Sequence, residues 1–302
     1  MKGAAAFAAS ASCFAGYAFA VEPLLRLEIT RYPMTPHGWP PDLKLRLAVL
    51  ADIHAGDPYM SLSRIAGIVA RANALNPDAH LLLGDYMTSH RWQTRRIRPE
   101  EWAPVLAGLK APLGVHAVLG NHDWWEDHAA QQRQQGPIES RRALERNGIP
   151  VYENDVVRLQ KDGRSFWLAG LGDQIAFRSR RRAGFTGVDD LKGTLAKVTD
   201  ASPVILMAHE PDIFPQVPSR VALTVSGHTH GGQVRLLGYS PVVPSRFGNR
   251  YAYGHVVETR TEGPQPEACH LVVSGGLGCS IAPVRLFMPP EIVVLELGGT
   301  GV

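Results

Sequence analysis

The chain has 302 residues, of which 45% are hydrophobic and 20% are charged. This balance is ordinary for a globular protein and excludes an intrinsically disordered chain. The net charge of +3 argues against a nucleic-acid polymer as partner, and three cysteines exclude a disulfide framework as the main staple. The length allows one large domain or two small ones.

The N-terminal segment differs in composition from the rest of the chain. Residues 3–21 are rich in alanine, carry no charge before Glu22, and end in Ala18-Phe19-Ala20, which has the small-x-small form of a signal-peptidase site. We interpret residues 1–21 as a signal peptide or an N-terminal membrane anchor, which predicts a membrane-associated or exported protein of the periplasm or cell envelope. The alternative is a buried N-terminal helix. Cys13 lacks the upstream aliphatic residue of a lipoprotein site, so we expect no lipidation.

A proline-rich segment, residues 22–42, follows and is predicted to be a linker or an edge segment. Within it, residues 25–32 alternate between apolar and polar side chains as an edge strand does. The remaining residues, 43–298, are predicted to form the main domain.

Apolar runs and helical spacing predict the elements of that domain. The predicted strands are 43–50, 79–83, 114–119, 151–159, 166–171, 203–208, 221–225, 252–258, 271–274 and 292–297. The predicted helices are 61–75, with Ser61 as N-cap, 100–109, 138–147 and 189–198. The alternation of strands and helices favours an α/β (α+β) fold.

Residues that commonly bind metals follow five of the predicted strands. In chain order they are Asp52 with His54, Asp85, Asn121 with His122, His209, and His228 with His230. A pair of histidines in one loop is often a surface accident, and scattered structural residues are the alternative interpretation. Five strand ends in register, however, indicate that these side chains meet at one edge of the fold. Clustered buried imidazoles and carboxylates would be costly without a compensating metal pair, and mixed Asp, His and Asn ligation suits Mn, Fe or Zn rather than Ca or Mg alone.

The motifs Asp-x-His, Gly-Asp, Gly-Asn-His-Asp, a separate His and Gly-His-Thr-His, in this order, resemble those of the calcineurin-like metallophosphoesterases. The resemblance covers roughly residues 43–297. The lead-in from Glu22-Pro23 to Thr30-Arg31-Tyr32, the sequence Gly-His-Thr-His-Gly-Gly-Gln, and the tail 274–278 with Arg285 and Pro289-Pro290-Glu291-Ile292 are similar to the YaeI/YkuE-type branch. That branch comprises membrane-anchored or exported bacterial phosphodiesterases and includes UDP-2,3-diacylglucosamine hydrolases.

The resemblance implies a fold, a cofactor and a set of roles. The fold would be a four-layer α-β-β-α sandwich of two mixed β-sheets flanked by helices. The cofactor would be two divalent metal ions, with Mn²⁺ expected and Zn²⁺ or Fe²⁺ as alternatives. One ion would be held by Asp52, His54 and His230, the other by Asn121, His209 and His228, and Asp85 would bridge them. A hydroxide shared by the ions would attack phosphorus in line.

The resemblance also places His122 beside the metals rather than on them. It would stabilise or protonate the leaving oxygen, with Asp123 as its orienting carboxylate. Asp123 as a cap of the following helix is an equally weighted interpretation. Glu210 and Asp212 could orient His209 or be simple turn residues.

The predicted activity is hydrolysis of a phosphodiester or pyrophosphate bond by a metal-dependent phosphoric ester hydrolase. The apolar leader and the basic run 91–98, which contains Trp92, favour an amphiphilic substrate at a membrane surface, with UDP-2,3-diacylglucosamine as the specific candidate of lipid A biosynthesis. A solvated loop is the alternative for this run; a second basic loop spans 178–182. The alternative functions are an exported phosphodiesterase of broad specificity acting on soluble or cell-wall phosphate esters, and a non-catalytic metal-binding scaffold.

Overall fold

The computed structural model describes residues 14–178, 184–261 and 265–299, and the following statements concern these ranges. The strands are β1 Glu28–Met34, β2 Leu45–Leu50, β3 Gly56–Asp57, β4 Ala79–Leu82, β5 Arg95–Arg96, β6 Val115–Ala117, β7 Asp155–Lys161, β8 Arg164–Gly170, β9 Phe177–Arg178, β10 Phe185–Thr186, β11 Val204–Met207, β12 Val221–Ser226, β13 Gly254–Arg260, β14 Glu267–Val273 and β15 Glu291–Leu297. The α-helices are Glu22–Leu25, Leu62–Asn73, Pro99–Leu106, Asn121–Trp125, His128–Arg133, Glu139–Arg146 and Leu191–Ala196, and the shorter turns of helix are Tyr17–Val21, Pro211–Gln216, His230–Gly232 and Gly248–Tyr251.

Two large mixed sheets form the centre of the described part of the chain. The first has the strand order β1-β15-β2-β4-β6, and the second has the order β13-β14-β12-β11-β8-β7. In the first sheet β2, β4 and β6 run parallel, and in the second β8, β11, β12 and β14 run parallel. The carboxyl ends of these parallel strands are the places where side chains of both sheets can converge.

The core lies in three layers because each central strand is buried on both faces. On β2, Leu47 and Val49 pack between the two sheets, whereas Ala48 and Leu50 pack against the helices outside the first sheet. A third apolar cluster covers the outer face of the second sheet and includes Phe214. This confirms the predicted four-layer α-β-β-α sandwich.

Most predicted elements are present, with shifted ends. The helix Leu62–Asn73 begins where Ser61 Oγ accepts a hydrogen bond from the amide of Arg64, as the N-cap prediction required. The strand predicted from residue 151 begins only at Asp155, since Asn154 has a φ of +56°, which interrupts extended backbone.

The segment before the main domain is part of the folded structure where it is described. β1 pairs with β15 at the edge of the first sheet, which confirms the predicted edge strand. The buried carboxylate of Glu22 accepts hydrogen bonds from the amides of Phe287 and Met288 at 3.0 and 2.6 Å. Ala18 is also buried, and its carbonyl accepts from the amide of Arg285.

Residues 1–13 lie outside the described residues, so the leader prediction falls only partly on them and the lipidation prediction for Cys13 falls wholly outside. Of the second basic loop, the structure describes Arg178 alone. Within the described ranges, no helix has the length and apolar character needed to cross a bilayer.

Leu295 of β15 is fully buried between the two sheets, and it provides a test of this layer. We expect Leu295→Ala to lower the free energy of unfolding by about 2–5 kcal/mol, because the cavity left behind adds to the lost burial. The matched control is Leu237→Ala, since Leu237 is fully exposed and its replacement should change stability by less than about 0.5 kcal/mol. Denaturant unfolding of both variants gives the comparison, and equal stabilities would contradict the assignment of the core.

Candidate metal centre

The loops that follow the parallel strands meet at one edge of the sandwich. The loops after β2, β4 and β6 come from the first sheet, and those after β11 and β12 come from the second. They present the residues predicted from the strand-end pattern: Asp52, His54, Asp85, Asn121, His122, His209, His228 and His230. All of these side chains are buried, except that His228 is only partly buried.

The first group of ligand atoms comprises Asp52, His54, Asp85 and His230, whose atoms lie within 4.8 Å of one another. The Nε2 atoms of His54 and His230 are 3.0 Å apart, and His54 Nε2 is 3.5 Å from Asp85 Oδ2. His230 Nε2 is 3.8 Å from Asp52 Oδ1. These spacings suit one cation bound by two imidazoles and two carboxylates.

The second group comprises Asp85, His209 and His228, and it shares Asp85 with the first. His209 Nε2 lies 3.3 Å from Asp85 Oδ2. Asn121 joins this group, because its Oδ1 is 2.8 Å from His228 Nδ1. The seven residues predicted as ligands therefore come together, in two groups that share Asp85.

Hydrogen bonds to the backbone orient two of the imidazoles. His54 Nδ1 donates to the carbonyl of Met87 at 2.8 Å, and His209 Nδ1 donates to the carbonyl of Leu83 at 2.6 Å. Each bond fixes the tautomer in which Nε2 carries a lone pair, and that atom faces the site. The two rings are thus arranged as metal ligands would be.

A test of the fit to metal ions comes from buried polar atoms. Asp52 Oδ1 accepts a hydrogen bond from the amide of His228 at 2.9 Å, but Asp52 Oδ2 has no hydrogen-bond partner among the described residues. His209 Nε2 faces Asp85 Oδ2 at 3.3 Å and bonds to it only when the imidazole is protonated. A buried carboxylate oxygen without a partner is costly, and a divalent cation beside it would remove the cost. The donor set therefore fits two cations.

Burial sets the protonation of the metal-free site. It lowers the pKa of His54 to about 3, and it raises the pKa of Asp52 to about 7. For Asp85 and His209 burial opposes the charged forms, but their mutual attraction outweighs it, so the pKa of Asp85 is held below its usual range and that of His209 is raised. A cluster of buried groups whose pKa values are shifted in opposite directions is typical of a functional site.

The loop backbone is strained at five of the ligand positions. Asp52, His54, Asp85, His228 and His230 have φ values between +48° and +68°, a region that non-glycine residues rarely adopt. Such conformations cost roughly 1–3 kcal/mol each and persist only where the surroundings enforce them. Their concentration here indicates that the loops are shaped for the site rather than for stability.

His122 lies beside the first group of predicted ligands. Its ring contacts that of His54 at a centroid distance of 4.9 Å, and its two nitrogens face the hydroxyls of Ser89 and Ser280 at 2.9 and 3.3 Å. Burial lowers the pKa of His122 to about 4, so the imidazole is neutral at pH 7 in the metal-free protein.

Asp123 bonds to backbone amides and not to the ring of His122. It caps its own short helix through the amide of Gly120 at 3.0 Å, and it accepts from the amides of Asp85, Tyr86 and Met87 at 3.0–3.3 Å. Of the two interpretations left open by the sequence, these contacts favour the helix cap. Asp123 has a second role as well, since its carboxylate also holds the loop that carries Asp85.

The acidic residues after β11 are likewise engaged elsewhere. Glu210 accepts from the backbone and side-chain nitrogens of Gln174, and Asp212 accepts from the amide of Arg246. Neither is bonded to the ring of His209 in the described structure, so their contacts fit the interpretation as turn residues.

Three residues around the site were not predicted from the sequence as functional residues. Ser89 and Ser280 flank His122, and Arg285 is fully buried with a side-chain nitrogen 3.3 Å from His230 Nδ1. The serines have no signal in a single sequence, because they belong to loops whose path only the fold determines. Arg285 was part of the family resemblance but had no role attached to it.

A cavity of about 790 Å³ opens directly onto the ligands. Its floor includes Asp85, Asn121 and His228, and its walls are mostly apolar, with Trp92 and Ile281 among them. A phosphoryl group at the metals would therefore lie at the end of an apolar groove.

Gly120 provides a test of the geometry. An added Cβ would overlap Asp85 Oδ1 and lie 2.6 Å from both Asp85 N and His209 Cε1. We expect Gly120→Ala to lower the bound metal, measured by elemental analysis, to less than about half of the wild-type content, because both groups share the displaced carboxylate. The control is Gly67→Ala in the helix Leu62–Asn73, where an added Cβ meets nothing within 4 Å and alanine favours the helix. Full metal content in Gly120→Ala would contradict the packing described here.

Comparisons with known proteins identify the family of the chain. The family model of the calcineurin-like phosphoesterases matches residues 45–232, which include every predicted ligand position. The metallophosphoesterase YkuE of Bacillus subtilis is 29% identical over 291 residues, covering 94% of this chain and 90% of that protein. Phosphodiesterase YaeI of Escherichia coli is 26% identical over 257 residues, covering 83% and 82%.

A third relative is the transmembrane protein with metallophosphoesterase domain of Danio rerio, 33% identical over 196 residues, which cover 63% of this chain and 41% of that protein. The predicted resemblance to the YaeI/YkuE-type branch is thereby confirmed. On the family match and the two clusters of potential metal ligands, this chain belongs to the calcineurin-like phosphoesterase family and is a metal-dependent hydrolase of phosphoric esters.

Proposed function

We propose that the protein is a dinuclear-metal phosphohydrolase that cleaves a phosphodiester or pyrophosphate bond in a lipid-linked substrate at a membrane surface. The observation that carries the proposal is the pair of ligand groups joined by Asp85, at the end of an apolar cavity. A shared carboxylate between two ligand sets is the arrangement that holds two cations close enough to act on one phosphoryl group.

The ligand roles follow from the two groups. Asp52, His54 and His230 would hold one ion, Asn121, His209 and His228 would hold the other, and Asp85 would be shared between the two sets. Mn²⁺ is our first choice, since carboxylate and amide oxygens suit this ion and the imidazoles complete its ligand sets. When bound, the two ions supply a nucleophile at neutral pH and neutralise charge on the phosphoryl oxygens.

His122 acts on the leaving group. Its imidazole lies at the cavity wall beside the ligands, and the hydroxyls of Ser89 and Ser280 hold its orientation. It is neutral in the metal-free protein, and the negative charge of a bound phosphate would favour its protonated form. From this position it donates a hydrogen bond or a proton to the departing oxygen.

The cavity walls support an amphiphilic substrate. Trp92, Val242 and Ile281 line the cavity and are more than half exposed. Exposed apolar side chains of this size around one opening commonly mark a site for an apolar ligand or membrane. UDP-2,3-diacylglucosamine, which joins a nucleotide diphosphate to acyl chains, remains the specific candidate that we propose.

Export or anchoring remains part of the proposal. We retain the assignment of residues 1–21 as a signal peptide or anchor, of 22–42 as a linker or edge segment, and of 43–298 as the catalytic domain. The exposed side chains of Leu237 and Phe287 line one pocket, and the ring of Phe14 contacts that of Phe287 at a centroid distance of 6.2 Å. An apolar leader next to exposed apolar side chains supports an orientation with this region toward a bilayer.

Metal content tests the bridging role. Purified protein loaded with Mn²⁺ should contain about two ions per chain by elemental analysis. Asp85→Ala should lose both, whereas His122→Ala should keep both, because His122 is not a ligand. An Asp85→Ala variant that retains two ions would remove the bridge from the account.

Activity tests the hydrolase assignment. With Mn²⁺ present, the wild type should hydrolyse bis(p-nitrophenyl) phosphate. On glycerophosphodiesters, whose alkoxide leaving group needs a proton, His122→Ala should reduce kcat by about 10²–10⁴-fold without loss of metal. An unchanged kcat would exclude His122 from catalysis.

A panel of UDP-2,3-diacylglucosamine, glycerophosphodiesters, cyclic nucleotides and phosphomonoesters identifies the substrate class. The proposal is overturned if the lipid-linked nucleotide is the poorest substrate of the panel.

A further inference from the structure

The positively charged guanidinium of Arg178 lies at the wall of the cavity, and neither Arg178 nor the rings beside it has been assigned a role so far. The guanidinium carbon of Arg178 lies 4.4 Å from the centroid of the Trp125 ring. The ring of Phe185 stacks on Trp125 at 5.1 Å with an interplanar angle of 18°. Both Arg178 and Trp125 line the cavity that contains Asp85 and Asn121.

The backbone fixes this arrangement. Arg178 on β9 and Phe185 on β10 are directly paired in an antiparallel ribbon, so their side chains lie on the same face. Trp125 closes the short helix that begins with Asn121, and its indole N–H donates to the carbonyl of Ile175 at 2.9 Å. The aromatic surface beneath Arg178 is therefore tied to the helix that presents a proposed ligand.

The distance to His122 shows where Arg178 lies relative to the proposed leaving group. The Trp125 ring is 5.2 Å from the ring of His122, so a single side chain separates the guanidinium from the proposed leaving-group residue. Within the described residues, Arg178 forms no salt bridge with a carboxylate.

We propose that Arg178 binds the non-reacting phosphate on the leaving-group side, so that the site prefers diphosphate diesters to monophosphate diesters. This inference rests on the proposed function. A guanidinium that stacks on an aromatic ring keeps its edge N–H groups, which match phosphate oxygens in pairs. A leaving alcohol or phenol would give this cation no second phosphate to bind, whereas a leaving phosphate gives it a partner whose charge grows during bond cleavage.

The reaction at such a substrate is hydrolysis of the P–O–P linkage. The oxygen of water forms a bond to the attacked phosphorus, and the bridging oxygen departs with the bonding electron pair on the second phosphate. The products are two phosphomonoesters, and the hydrogens of water end on these products or in solvent. Arg178 would stabilise the second phosphate as it separates.

The experiment compares kcat/KM for UDP-glucose, a diphosphate diester, with kcat/KM for bis(p-nitrophenyl) phosphate, which has one phosphate. Arg178→Ala should lower the ratio of the two constants at least about 10-fold, with a loss in kcat for UDP-glucose, because the contact strengthens as charge develops. Arg178→Lys should recover part of the loss, since it keeps the charge but not the paired donors. The control is Arg133→Ala, an exposed arginine outside the cavity lining, which should leave the ratio unchanged.

The outcomes separate this inference from the proposed function. An Arg178→Ala variant that folds normally, by its melting temperature, and loses both activities equally would overturn the inference. So would a wild-type enzyme that hydrolyses bis(p-nitrophenyl) phosphate but none of UDP-glucose, ADP-ribose and UDP-2,3-diacylglucosamine. A metal-loaded wild type that hydrolyses no phosphodiester or diphosphate diester would instead contradict the proposed function itself.

Discussion

The carboxylate of Asp85 is the group on which the arrangement of the site depends. It is buried, it lies within 3.5 Å of imidazole nitrogens from both ligand groups, and its Oδ1 accepts a hydrogen bond from the amide of His122. A buried charge in this position is stable only if cations or protonated groups balance it. In the metal-free protein the raised pKa of His209 favours a protonated imidazole that balances the charge of Asp85. Two divalent ions would balance it in the metal-bound protein.

The fold supplies this position by bringing strand ends of two sheets to a common edge. The loops there adopt left-handed backbone conformations at five ligand residues, and the amides of one loop are gathered by the carboxylate of Asp123. The free energy spent on strained loops is offset by the apolar layers between and outside the sheets. Stability and function therefore rest on different parts of the same sandwich.

Much of this could be predicted from the sequence, since it depends on local patterns. Apolar runs predicted the central strands, and the polar residues directly after them predicted which side chains meet at the sheet edge, because a strand end determines where its next residues lie. The contacts of His122 with Ser89 and Ser280 could not be predicted, since these serines come from distant loops without a pattern. The role of Asp123 was left open because a helix cap and an orienting carboxylate look alike until the neighbouring amides are placed.

The central claim is that two cations share Asp85. The most direct measurement is the anomalous scattering of crystals grown with Mn²⁺. The account predicts two peaks about 3.5 Å apart, one among Asp52, His54 and His230 and the other among Asn121, His209 and His228, with Asp85 bound to both. A single peak, or two peaks of which only one contacts Asp85, would contradict it.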